Sequence, residues 1–349
     1  MTVPNGPKPG CWASKTIDTM DYQPQPDRYT NGMVYRRCSN SGVELPVISL
    51  GLWHNFGHID SYATGLEMVR YAFDHGICHF DLANNYGPPP GSAEENFGRM
   101  MKQSFAAHRD EMFITTKAGH EMWAGPYGGN SSRKNLMASI DQSLRRMRLD
   151  YVDLFYSHRY DGVTPIDETM QTLVDIVHQG KALYIGLSKY PIDKLLYALS
   201  YLHEAGVPCL AYQDRYHMFD RHVEEKHLQL CHSKGIGVVA FSPLAQGILS
   251  DKYLHGIPSD SRAARPEGHL KTTDVTPEKI ARVARLKPLA DQRGQSISQL
   301  ALAWILRRNE VSSVIVGART LDQLKDNLHA VENLTLTPAE TELIEEILK

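Results

Sequence analysis

From Met33 onward, short apolar runs alternate with stretches in which apolar residues recur at helical spacing. The runs VISLGLW, ICHFDLA, EMFITTK, YVDLFYSH, ALYIGLS, CLAYQ, GVVAFSP and SSVIVGA are rich in branched and aromatic side chains, so each predicts a buried strand. Between them, Leu136, Ile140, Leu144 and Met147 repeat every three or four residues, as do Leu321, Leu324 and Leu328, which puts one apolar stripe on a helix. Ser92 with Glu95 reads as a capping box. Thr276 precedes Pro277 at a first helical position, and Thr337-Pro338-Ala339-Glu340 combines both signals. Ahead of the first run, MVYRRC and VELPVI flank a Ser-Asn-Ser-Gly turn and predict a β-hairpin.

Eight strands alternating with helices predict a closed (β/α)8 TIM barrel, because each parallel strand needs a crossover helix and closure removes every sheet edge. The expected organisation is an irregular N-terminal arm over 1–32, followed by one barrel domain over 33–349 that opens with the hairpin. A doubly wound open sheet is the alternative, but no G-x-G-x-x-G follows the first strand. The arm contains PNGPKPG and YQPQPDRY, whose composition suits a loosely ordered extension. The sharper reading has Trp12 and Tyr22 anchor it on a neighbouring subunit, as in a homo-oligomer.

Composition narrows the partners. The 37 basic and 40 acidic residues nearly cancel without a basic stripe, which argues against nucleic acid and membrane surfaces and favours a small-molecule substrate. Five scattered cysteines show no metal or redox spacing, and neither a signal-like segment nor a transmembrane run is evident. A cytoplasmic protein is the expectation.

In such a barrel, functional groups stand at the C-terminal ends of the strands. The runs end on Asp81, Lys117, His158, Ser188, Gln213 and Phe241-Ser242, and Tyr86 follows Asp81 on the stiff loop NNYGPPPG. A tyrosine, pKa ~10, is a poor acid at neutral pH, and a lysine ammonium beside it should lower that value. Asp81 would keep Lys117 charged, and His158 would hydrogen-bond the carbonyl oxygen that Tyr86 protonates. His79, Asp81 and His158 could instead suggest a metal site, but Lys117 would stand there as a rival cation, so no metal is expected. Lys117 could also serve a Schiff-base lyase, and a third class is a slow-turnover redox-sensing subunit.

The segments DLANNYGPPPGSAEENFG, TKAG, YSHR, FSPLAQGILSDKY and VIVGARTLDQLKDN together resemble the aldo-keto reductase family from about Met33 to the end. PPPGSAEE is similar to the branch that holds bacterial L-glyceraldehyde 3-phosphate reductases and, more distantly, potassium-channel β subunits. The resemblance implies NADPH-dependent carbonyl reduction by a tetrad of Asp81, Tyr86, Lys117 and His158. It also implies NADPH/NADP+ extended across the mouth. Ser188 and Gln213 would bind the carboxamide and Phe241 would stack on the nicotinamide. Ser242, Leu244, Gln246, Gly247 and Lys252 would follow the pyrophosphate, while Gly317, Arg319, Gln323, Asp326 and Asn327 would surround the adenosine end. Two departures stand out: Ser188-Lys189 replaces the Ser-Asn of many members, and His158 stands where channel β subunits usually have asparagine.

For the substrate, Trp53, Trp123, His158 and Arg159 are expected to flank the mouth, which suits a short polyhydroxylated aldehyde. In GPYGGNSSRKN, the helix start beside Arg133 and Lys134 could receive a substrate phosphate; otherwise Ser131 or Ser132 simply caps that helix.

Overall fold

The computed structural model describes residues 22–259, 261–264 and 270–349. Strands β1 (Tyr35–Arg37) and β2 (Glu44–Pro46) pair antiparallel as the hairpin. The remaining strands are β3 (Ile48–Gly51), β4 (His79–Asp81), β5 (Phe113–Ala118), β6 (Val152–Ser157), β7 (Ala182–Ser188), β8 (Cys209–Arg215), β9 (Gly237–Phe241) and β10 (Val311–Val316). They close in chain order, with β10 returning to β3. Each of the eight predicted runs supplies one barrel strand.

The helices are α1 (Tyr62–Asp74), α2 (Ser92–Met100), α3 (Arg133–Met147), α4 (Ile166–His178), α5 (Ile192–Glu204), α6 (His227–Ser233), α7 (Pro277–Gln292), α8 (Ile297–Leu306), α9 (Leu321–Leu328) and α10 (Pro338–Leu348). Their apolar stripes face inward: Leu136, Ile140 and Met147 are buried on α3, and Leu324 and Leu328 on α9. Thr276 and Thr337 cap α7 and α10 as expected, Thr337 in a full capping box with Glu340. Ser92 does not cap α2. Its hydroxyl donates to Pro89 O at 2.6 Å, and the capping position falls on Gly91 at φ 90°, a left-handed conformation that glycine adopts without a Cβ penalty.

The hairpin closes the N-terminal end of the barrel. Cys38 and Leu45 pack with Leu154, Tyr156, Leu210, Val239 and Ile315 in an interior cluster, so solvent is shut out below the site. At the arm, Tyr22 donates to Asp74 Oδ1 at 2.8 Å and to Arg70 O at 3.2 Å, and its ring meets Phe105 edge-on. Arg28 pairs with Glu111. Residues 22–32 thus dock on their own barrel, with the Tyr22 hydroxyl and ring both held by the same chain; Trp12 lies outside the described residues. No helix among the described residues is long and apolar enough to cross a membrane.

One buried ion pair braces the elements around the mouth. Glu94 on α2 is fully buried, accepts from Thr116 Oγ1 of β5 at 2.6 Å, and pairs with Arg146 Nε of α3 at 2.8 Å. Arg146→Met would leave that carboxylate uncompensated, so the unfolding free energy should fall by about 3–5 kcal/mol. Urea denaturation checks this; a loss below about 1 kcal/mol would reduce the pair to the worth of a surface contact.

Candidate active site

Strand alternation builds the centre. Residues two apart on a strand share a face, so Thr115 and Lys117 both point into the barrel while Thr116 points outward to Glu94. Asp81 pairs in register with Thr115 and reaches the same interior. Its Oδ1 accepts from Thr115 Oγ1 at 2.8 Å and from Gln213 Nε2 at 3.0 Å, and its Oδ2 accepts from Lys117 Nζ at 2.6 Å. Lys117 Nζ also donates to Leu82 O at 2.7 Å and lies 3.4 Å from Tyr86 OH. Three acceptors around one nitrogen match an ammonium's three N–H bonds. Burial pulls the lysine pKa below its usual value, and the Asp81 carboxylate opposes that pull.

The loop holds Tyr86 from both sides. Its N–H donates to Ala83 O at 3.0 Å, and its carbonyl accepts from Gly91 N at 3.0 Å and Ala93 N at 3.3 Å, the second inside α2. Pro88 O accepts from His58 N at 3.0 Å, tying the proline run to the loop after β3. A Cβ at Gly57 would fall 2.4 Å from that oxygen, so only glycine lets the two loops approach.

The phenol pKa runs opposite to the expectation from sequence. Burial, and then the Asp81 carboxylate, hold Tyr86 well above the usual phenol value. Lys117 does not pull it down because Asp81, at 2.6 Å, cancels most of the ammonium's field. Tyr86 therefore rests protonated throughout the neutral range, as a proton donor must.

Tyr86 and His158 meet edge-to-face with ring centres 6.0 Å apart. Burial, and then Lys117, Lys189, His120 and Arg159, keep His158 well below the usual histidine value, so it is neutral. Its Nδ1 is buried with no hydrogen-bond partner among the described residues. A neutral imidazole beside a protonated phenol can offer two hydrogen bonds to one carbonyl oxygen. His79 stands apart from this chemistry: Nδ1 contacts Ser49 Oγ at 2.8 Å and Nε2 contacts Thr115 Oγ1 at 3.4 Å, and burial pushes its pKa down to about 4.

The residues assigned to the cofactor divide into several groups. Ser188 Oγ and Gln246 Oε1 are buried polar atoms with no hydrogen-bond partner among the described residues, which fits a polar ligand. Ser242, Ala245, Gln246 and Gly247 all take positive φ, between 48° and 100°. Leu244 sits inside this turn, where its carbonyl accepts from Gly247 N and Leu249 N. Ala245 N donates to Ser242 O at 2.9 Å and Gly247 N to Leu244 O at 2.8 Å, so the positive φ values fold a tight, internally bonded turn. Lys252 follows on a short 3-10 turn capped by Ser250, and half-buried Phe241 ends β9. Beyond β10, Gly317 has open space where a Cβ would stand, and Arg319 and Gln323 lie exposed where Thr320 caps α9. Asn327 is buried on that helix. Asp326 departs from the expected role: Oδ1 accepts from Gln299 Nε2 at 2.7 Å and Oδ2 from Ser296 Oγ at 3.0 Å, so this carboxylate joins α9 to α8. Gln213 donates one of its two amide N–H bonds to Asp81 and so positions the tetrad as well. With Asp326 set aside, the donors and the open cradle fit a dinucleotide.

Comparison with known proteins agrees with this geometry. The model of the Aldo/keto reductase family matches residues 47–349. The chain belongs to this family. It is an oxidoreductase of carbonyl groups. It is 50% identical over 327 residues to the L-glyceraldehyde 3-phosphate reductase of Escherichia coli O157:H7, covering 92% of this chain and 94% of that one. Identity to the same-named protein of Escherichia coli K12 is 49% over the same shares. A probable voltage-gated potassium channel subunit beta of Arabidopsis thaliana is 35% identical over 325 residues, 91% of this chain and 97% of that one.

Of the residues expected to meet substrate, Trp53 has its ring centre 6.1 Å from that of Tyr86. Arg159 donates to Gly119 O at 3.1 Å and Gly129 O at 3.4 Å, fastening the loop that carries half-buried Trp123. Arg133 is a correction. Its guanidinium pairs with Asp175 on α4, in the outer helix layer. The α3 start is already satisfied: Ser131 N donates to Asp161 at 2.8 Å, Arg133 N to Glu168 at 2.9 Å, and Ser132 caps Asn135 N. A phosphate there would meet two carboxylates, so Ser132 is a cap and the loop has a structural role. Thr115 escaped notice in the sequence, although the alternation in TTK puts it on the same face as Lys117.

Proposed function

We propose that this chain reduces a small polar aldehyde or ketone with NADPH, Tyr86 acting as proton donor, and that L-glyceraldehyde 3-phosphate is the leading substrate candidate. The observation that carries this reading is Tyr86 OH at 3.4 Å from a Lys117 ammonium that is itself fixed on Asp81. NADPH, when bound, would supply the hydride. As negative charge builds on the carbonyl oxygen, neutral His158 donates a hydrogen bond and Tyr86 gives up its proton to that oxygen. Lys117 then donates to the phenolate left behind, while Thr115 and Gln213 keep Asp81 aimed at the lysine.

Ser188 and the Gln213 side chain would hold the carboxamide, Phe241 the nicotinamide face, the turn from Ser242 to Gly247 with Lys252 the pyrophosphate, and Gly317, Arg319, Gln323 and Asn327 the adenosine end. Arg319, at the positive end of α9, supports NADPH over NADH through the extra phosphate. The substrate candidate rests on the names of the Escherichia coli relatives.

A Schiff-base lyase is disfavoured, because nucleophilic Lys117 would have to give up its proton and leave Asp81 buried without a counter-charge. A slow redox-sensing subunit is disfavoured by neutral His158 beside Tyr86. The test is NADPH oxidation with L-glyceraldehyde 3-phosphate, free glyceraldehyde and methylglyoxal, repeated with NADH. Steady turnover with NADPH and a lower kcat/KM with NADH supports the reading. A single turnover followed by arrest would favour the sensor instead.

A further inference from the structure

Lys189 follows the last residue of β7 in a left-handed conformation, φ 54°, that non-glycine residues seldom adopt. Its Nζ lies 3.1 Å from His120 Nε2. His120 stands edge-on to His158 with ring centres 4.4 Å apart, and His158 is the neighbour of Tyr86. Tyr86, His158, His120 and Lys189 therefore form a continuous chain of contacts from the reacting centre to half-buried Lys189.

Charge along this line is not balanced. Lys117 is matched by Asp81 at 2.6 Å. Among the described residues, neither Lys189 nor Arg159 forms an ion pair; Lys189 contacts a histidine and Arg159 contacts two backbone carbonyls. The charged groups that act on Lys189 are Lys117, Arg159 and Arg215, all positive, and Asp214. Asp214 is committed elsewhere, to the Tyr212 hydroxyl at 2.5 Å and the Arg215 N–H at 2.7 Å, with His222 at 3.5 Å. Burial, and then Lys117, push the Lys189 pKa down to about 8, and burial first pushes that of His120 to about 4. Neutral His120 can accept from the ammonium, but it brings no negative charge. A half-buried cation among cations is a cost to the folded chain unless something negative arrives.

We propose that Lys189, together with His120 and Arg159, forms the subsite for an anionic group, a phosphate or a carboxylate, carried on the carbonyl substrate a short chain away from the reacting carbon. This rests on the reductase reading, which places the carbonyl at Tyr86 and His158. The carbonyl then lies at one end of the line of side chains and the anion at the other. The subsite also takes over the task that the start of α3 cannot perform, since Glu168 and Asp161 fill that end. The rival role for Lys189 is a contact to the cofactor carboxamide beside Ser188.

The test compares kcat/KM for glyceraldehyde 3-phosphate, for a short aldehyde bearing a carboxylate (succinic semialdehyde), and for neutral glyceraldehyde, in wild type, Lys189→Met and Lys189→Arg, with NADPH affinity measured by fluorescence titration. Wild type should prefer at least one anionic aldehyde, and Lys189→Met should cut the anionic-to-neutral ratio about 10- to 100-fold, the worth of one charge-assisted contact. Which ratio collapses identifies the anion. In wild type the ratio should decline as pH rises through about 8, where Lys189 loses its charge. Taking a ratio cancels the shared titration of Tyr86 and Lys117. Lys189→Arg should keep the ratio and abolish the decline, and this arm stands even if Lys189→Met folds poorly. A parallel loss of NADPH affinity and of all three activities would overturn the subsite in favour of the carboxamide contact. A ratio that neither variant nor pH moves would also overturn it. Failure of wild type to oxidise NADPH with any of the three aldehydes would overturn the reductase reading as well.

Discussion

Tyr86→Phe should lower kcat by about two decades or more and leave NADPH affinity within about twofold, because it deletes the proton that is transferred to the carbonyl oxygen while preserving the ring. The ring packs between Trp53 and His158, so phenylalanine keeps both contacts. The hydroxyl also accepts from Lys117, but that ammonium retains Asp81 and Leu82 O. Denaturant stability should therefore change little. Fluorescence titration of NADPH alongside steady-state turnover separates the two effects, and a variant that keeps most of its kcat would remove Tyr86 from its role.

Lys117→Met should act on both activity and stability. The substitution leaves Asp81 as a buried carboxylate with hydrogen bonds but no counter-charge, which costs about 3–5 kcal/mol. It also removes the group that stabilises the phenolate after proton transfer, so kcat should fall at least as far as in Tyr86→Phe. The double variant Asp81→Asn with Lys117→Met removes the stranded charge. It should recover much of the denaturant midpoint and none of the activity. Recovery of neither, or an active Lys117→Met protein, would contradict the roles given to this pair.

The barrel was legible because its signals are local. Branched apolar runs and three-to-four-residue spacing both survive in a single sequence, and the eight barrel strands follow from them. Boundaries were less so: ICHFDLA yields only His79–Asp81 as strand, since Leu82 and Ala83 already belong to the loop that carries Tyr86. The tetrad was visible as polar residues ending successive strands. What sequence could not show was set by partners far along the chain. Arg133 reads as a phosphate ligand until Asp175 and Glu168 on α4 claim it. Asp326 reads as an adenosine contact until Gln299 and Ser296 bind both its oxygens. The direction of the Tyr86 pKa depended on burial and on how closely Asp81 approaches Lys117, and neither is written in the spacing of residues. Lys189 was visible only as a departure from Ser-Asn; its nearness to His120 turns that departure into a candidate specificity element.

The most direct measurement is the fate of the hydrogen at C4 of the nicotinamide. Reduction of glyceraldehyde 3-phosphate with NADPH deuterated at both C4 positions should give product with one deuterium on the former carbonyl carbon, in step with cofactor oxidation, and Tyr86→Phe should slow its formation by about two decades or more. Product without deuterium, or a borohydride-trapped substrate adduct on Lys117 in place of cofactor oxidation, would contradict hydride transfer at this site.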